Sequence, residues 1–134
     1  MVDALDKLFQ FHQEALNLRA FRQQLLASNV ANADTPGYKA RDIDFAAALR
    51  NLTSGHAASA AKLRTTDARQ LGAPGSDDPA AAVLYRSPQQ PSIDGNSVDL
   101  DVERNRFAEN AVHYDADLTV LSSQIKLMLA AIQG

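Results

Sequence analysis

Two runs of apolar residues at heptad spacing, one near each end, constrain this chain more than any other feature. Towards the N-terminus Ala4, Leu8, Phe11, Ala15, Leu18, Arg22, Leu25 and Asn29 step by alternating intervals of four and three. Towards the C-terminus Phe107, Ala111, Tyr114, Leu118, Leu121, Ile125, Met128 and Ile132 do the same. A 3.5-residue period is the spacing of a coiled-coil seam. The pattern predicts helices over about 3–33 and 99–133, each ~45 Å long at 1.5 Å per residue, which is long for a small monomer.

The two seams differ. In the first, Leu5, Phe9, Leu16, Phe21 and Leu26 widen the apolar face, while Arg22 and Asn29 interrupt it. A polar residue at a seam position sets register at some cost in stability. The second has no polar break. Asp3 is a candidate N-cap for the first helix and Asp99 for the second, where Asp101 and Glu103 suit the positive end of the dipole. The fold class expected is mainly α. Its long terminal helices pair as an antiparallel, coiled-coil-like bundle, with an extended loop and a small irregular β segment between them.

The first helical pattern runs into SNVANADTPGYKARDIDF, residues 28–45. Pro36 pushes Thr35 out of the α region, and Pro36-Gly37 suits the central positions of a type II turn, with Gly37 where positive φ is needed. Tyr38 follows, and then Lys39, Arg41, Asp42 and Asp44 are interspersed with apolar residues. This segment specifies a shape, which a plain linker does not need. We read Asn29, Asn32, Asp34, Thr35, Pro36, Gly37 and Tyr38 as an assembly and turn motif, with Tyr38 anchoring the extended segment on a neighbouring subunit. Residues 27–33 are small or polar on all sides, as expected of a helix end completed by other subunits. Leu8, Phe11, Leu18, Leu25, Phe107, Tyr114, Leu118, Leu121, Ile125 and Met128 form the expected subunit-packing seam.

Three regions follow: 1–45, a helix plus its turn segment; 46–98, a flexible middle with a small β segment; and 99–134, the second helix. Asn51 to Ala82 is rich in small and polar residues, and Gly72 to Pro79 is a cluster of breakers. Ala46 to Leu52 could add a helical turn. Val83 to Tyr85 reads as a short strand, and the turn signal Asp94-Gly95-Asn96 predicts a small hairpin or an irregular β segment between 92–93 and 98–100.

Composition excludes several functions. With 13 basic and 16 acidic side chains the net charge is −3, which argues against electrostatic capture of nucleic acid. The absence of cysteine removes disulfides and thiolate metal sites. No run approaches a transmembrane helix, and the acidic, polar start does not read as a cleavable signal. Asp34, Asp42, Asp44, Asp94, Asp99, Asp101 and Glu103 fail the calcium-loop pattern and read as caps and surface charge. His12, His56 and His113 are scattered. No nucleophile elbow, phosphate loop or zinc-binding helix motif occurs. We expect no enzyme, cofactor, metal or small-molecule substrate.

The run ALNLRA…LLASNVANADTPGYKARDIDF resembles the N-terminal signature of bacterial flagellar axial proteins, the family of rod, hook and hook-associated components. Its KARDIDF extension, with LYRSPQQPSIDGNSVDLDVERNRFAEN nearer the C-terminus, is similar to the proximal-rod subtype. The likeness covers about residues 1–50 and 82–134. It implies a structural subunit that passes through the flagellar type III export apparatus without a cleaved signal. It implies self-association into a helical tube that crosses the periplasm and transmits motor torque. The implied neighbours are the membrane ring, the adaptor FliE and other rod proteins of the FlgC and FlgF/FlgG types. The alternative reading is a soluble helical adaptor or export chaperone that holds one partner helix in a groove.

Overall fold

The computed structural model describes residues 2–53, 83–88 and 92–133. The stretch expected to be flexible lies mostly in 54–82, outside the described residues. Chain order is α1 (Val2–Ala31), β1 (Arg41–Ile43), α2 (Phe45–Thr53), β2 (Val83–Tyr85) and α3 (Leu100–Gln133). The long helices α1 and α3 lie antiparallel. Asn29 meets Glu103, Gln23 meets Asn110 and Arg19 meets Asp117, so residue number rises along one helix as it falls along the other.

Each boundary has a local cause. The helix α1 begins at Val2, one residue before the expected cap position Asp3. Asp99 does cap α3: its Oδ1 accepts from the amides of Asp101 at 3.1 Å and Val102 at 3.3 Å. Asp44 caps α2, accepting from Ala47 N at 3.0 Å, so the expected extra turn is a helix of nine residues. At the end of α1, Asn96 reaches across with its side chain. Its Nδ2 lies 3.1, 2.7 and 3.0 Å from the carbonyl oxygens of Asn32, Ala33 and Thr35, in the turn that follows the helix.

The turn after α1 has the form its residues require. Gly37 sits at φ 72°, and Tyr38 N donates to Thr35 O at 3.3 Å. The chain then runs extended between two neighbours. On one side β1 pairs antiparallel with β2, Asp42 opposite Leu84. On the other, Gly37 N donates to Asp94 O at 2.9 Å, Ser97 N to Tyr38 O at 3.0 Å and Ala40 N to Ser97 Oγ at 2.8 Å. Of the two forms expected over 92–100, the hairpin does not form. Its turn exists, with Gly95 N bonded to Ser92 O at 3.1 Å and Gly95 at φ 76°. The flanking backbone groups bond to 37–40 instead of to each other, and Leu100 enters α3.

The apolar core is small. Leu18 and Leu25 of α1, Ile43 of β1 and Ala48 of α2 are buried together, with Phe21, Phe45, Leu49 and Val83 packed around them. The Arg19 guanidinium covers the Phe45 ring at 4.2 Å from its centroid. This core closes α1 against β1 and α2, and α3 contributes no buried apolar residue to it.

Two substitutions test this account of the chain reversal. Gly37→Val forces a β-branched residue into positive φ and should lower stability by about 1–3 kcal/mol. Asn96→Ala removes the side chain that ties down the turn after α1, at a similar cost of about 1–2 kcal/mol. Thermal melts of both should shift down by several degrees; an unchanged melt for Asn96→Ala would show that the tie carries no weight.

Candidate functional site

The residues singled out at the turn come together, and their bonds are within the chain. Asn29 is fully buried. Its Nδ2 donates to Arg41 O at 2.7 Å and to Glu103 Oε2 at 2.9 Å, while Oδ1 accepts from Arg41 N at 3.0 Å. Asn32 Nδ2 bonds back to Ser28 O at 2.8 Å, and Thr35 Oγ1 to Asn32 Oδ1 at 3.2 Å. Asp34, Pro36 and Gly37 are exposed. The Tyr38 hydroxyl lies 3.0 Å from Ser28 Oγ of its own α1, which ties the extended segment to that helix.

Beside Asn29 lies a charged joint. Asp42 accepts from Arg22 Nε at 2.8 Å and Nη2 at 3.1 Å, from Arg86 Nη2 at 2.8 Å and from Arg106 Nη1 at 3.3 Å. Arg86 also pairs with Glu103, whose side chain is fully buried. Three cations from α1, the segment after β2 and α3 thus surround two carboxylates from β1 and α3. Burial pushes the Asp42 carboxyl up, but the Arg22 hydrogen bonds, the Ile43 amide and the charges of Arg22 and Arg86 outweigh it. The net pKa lies below the ordinary carboxylate value. The hydrogen bond to Asp42 correspondingly raises Arg22, against its own burial. Reading Asp42 and Glu103 as surface charge is thereby corrected: Glu103 is buried and Asp42 half-buried, and each has arginine partners that the fold supplies.

The seam residues divide between α1 and α3. Leu18 and Leu25 are in the core, Leu8 is half-buried and Phe11 is exposed. On α3, Tyr114, Leu121 and Met128 are half-buried, while Phe107, Leu118 and Ile125 are exposed. The reason lies in which face α3 turns to α1. Glu103, Asn110 and Asp117 make the cross-helix bonds, and at 100° per residue the apolar stripe is rotated from them by roughly 60°. Asn110 and Gln124 even carry buried side-chain oxygens without a hydrogen-bond partner. The inward face of α3 carries its buried polar groups, and its apolar stripe is left partly exposed.

Sequence reasoning missed Arg22, Asp42, Arg86, Glu103 and Arg106 as a unit, and Asn96 as the tie across the turn after α1. The available signal was the recurrence of unlike charges in RDIDF, LYRSP and VERNR. Among the described residues no group of His, Asp and Glu could hold a metal ion, and no helix is long and apolar enough to cross a membrane.

The fold is thus an antiparallel helix pair whose second helix leaves an apolar stripe partly exposed. A family pattern described as flagella basal body rod protein matches residues 9–39. The chain is 50% identical to the flagellar basal body rod protein FlgB of Salmonella typhimurium, over 100% of this chain and 99% of the relative. It is 50% identical to FlgB of Escherichia coli K12 with the same coverage, and 48% identical to that of Cereibacter sphaeroides over 92% of this chain and 91% of the relative. The chain belongs to the FlgB family of flagellar basal body rod proteins, a structural family.

The joint makes a pH prediction. Because Asp42 is depressed in the folded state, its contribution is complete above the ordinary carboxylate value, about 4. It is lost as pH falls through the lower folded value. Arg22 stays charged throughout this range. The melting temperature should fall below about pH 4, and Asp42→Asn should be less stable at pH 7 with a flatter acid limb. A parallel acid limb in that variant would remove Asp42 as its source. Arg86→Met should cost about 3 kcal/mol or more by stranding the buried Glu103 charge; Glu103→Met added to it should recover part of that loss in urea unfolding.

Proposed function

We propose that this chain is a proximal subunit of the flagellar rod, which packs α1 and α3 into a helical tube crossing the periplasm and carrying motor torque. The observation that carries this reading is the partly exposed α3 stripe in a chain half identical, end to end, to rod proteins. Assembly follows from the family. The particular neighbours proposed are further copies of the chain, the adaptor FliE, the membrane ring and the FlgC and FlgF/FlgG types of rod protein. Export through the flagellar type III apparatus without a cleaved signal belongs to the same proposal.

The physical logic is consistent. Contacts between unlike surfaces that repeat by a non-closing rotation generate a filament. A stripe exposed in the single chain gives such contacts their apolar area. The turn segment, by bonding within the chain, fixes how β1 and β2 project from the helix pair. The proline-glycine turn and the stiff segment after it have no use in a chaperone groove.

The test separates folding from assembly. Leu118 is exposed in the single chain, so Leu118→Asp should leave the purified chain's circular dichroism and melt nearly unchanged. In cells it should abolish rod assembly and swimming. Normal motility with Leu118→Asp would remove the stripe from the assembly interface.

A further inference from the structure

Residues 94–97 read Asp94-Gly95-Asn96-Ser97, and making a turn does not exhaust their chemistry. An asparagine followed by a small residue carries a latent reaction. The backbone nitrogen of the next residue attacks the side-chain Cγ and expels ammonia, which closes a succinimide ring. Water then opens the ring at either carbonyl and leaves aspartate or isoaspartate. Cyclisation needs the next N–H free, the side-chain amide free and the backbone able to rotate.

The fold withholds all three at Asn96. The residue is buried, and so is Ser97. Ser97 N, the nucleophile, donates to Tyr38 O at 3.0 Å. Asn96 Nδ2, the leaving group, is held by the carbonyl oxygens of Asn32, Ala33 and Thr35. Oδ1 accepts from Val98 N at 2.8 Å. Only one orientation of the amide suits these partners, since its nitrogen meets acceptors and its oxygen meets a donor. In the unfolded chain every one of these bonds is gone.

We propose that Asn96 is a deamidation site, closed by the fold and open in the unfolded chain, whose product cannot make the turn again. A carboxylate has no N–H to give. In place of Nδ2 a negative oxygen would face three carbonyl oxygens, a polar burial without compensation. Isoaspartate also lengthens the backbone by one carbon before Ser97, which takes Ser97 N off Tyr38 O. Reaction at this one amide therefore turns time spent unfolded into loss of foldable chain. The proposal goes beyond the rod reading and does not depend on it, because it concerns the chain's own turn.

Purified full-length chain is incubated at one mildly alkaline pH and one temperature, in native buffer and in urea. Peptide mass spectrometry reads conversion at each asparagine. Asn96 should convert at least about tenfold faster in urea, because its bonds open together only when the turn unfolds. Equal rates in buffer and urea overturn the protection. In urea Asn96 should also outrun Asn17, whose next residue is the bulky Leu18; an Asn17 that keeps pace overturns Asn96 as the reactive site. The aged urea sample is then diluted to refold and separated into native and non-native fractions. Converted Asn96 should collect in the non-native fraction, and an even spread between the two overturns the block on refolding. Asn96→Asp and Asn96→Ala chains give a second readout. At pH 7 the Asn96→Asp chain should melt below the Asn96→Ala chain. The gap should close as pH falls and the carboxyl gains a proton to donate. An Asn96→Asp chain that melts with or above Asn96→Ala at every pH overturns the repulsion on which the block rests.

Discussion

Asp42 accepts hydrogen bonds from three arginines that come from α1, from the segment after β2 and from α3. The remaining architecture depends on that shared carboxylate. The apolar core joins α1 to β1, α2 and β2, but α3 is outside it. What fixes α3 is polar: Glu103 to Arg86 and Asn29, Arg106 to Asp42, Asn110 to α1, and Asp117 to Arg19. Ionic and amide contacts of this kind are directional. They set register and rotation more strictly than a stripe of leucines would.

This division explains why the helix pair looks reversed, with polar groups inside and apolar groups outside. If α3 turned Phe107, Leu118 and Ile125 onto α1, the chain would satisfy itself and have little apolar area for assembly. By holding α3 through charges at one end, the fold keeps the stripe free. The cost is visible in the stranded oxygens of Asn110 and Gln124. The turn serves the same end. Gly37 reverses the chain, Asn96 ties down the turn after α1, and Asn29 clamps both Arg41 and Glu103, so helix, strand and second helix meet at one place.

What was legible in the sequence was local. Heptad spacing gives α1 and α3 directly, Asp99 announces the start of α3, and Pro36-Gly37 gives the positive-φ turn. What was not legible needed pairing across long separations. β1 and β2 are three residues each, too short for a pattern to say that they pair. At Asp94-Gly95 the turn signal was real, but the backbone beside it bonds to residues 37–40. The joint was hidden because Asp42, Arg86 and Glu103 look like ordinary surface charges until the fold brings them together. Which way α3 turns its stripe was not legible for a related reason. Periodicity says which residues share a stripe, and not whether that stripe faces the chain's own partner helix or another molecule.

The central claim is that polar contacts hold the turn end of the pair within one chain while the far half of α3 is completed by neighbours. Amide hydrogen exchange on the free chain and on assembled rods measures this directly. The account predicts that amides around 25–31 and 103–111 are protected in both states, whereas those around 118–132 exchange fast in the free chain and gain protection on assembly. Equal protection of the two halves of α3 in the free chain, unchanged on assembly, would contradict it.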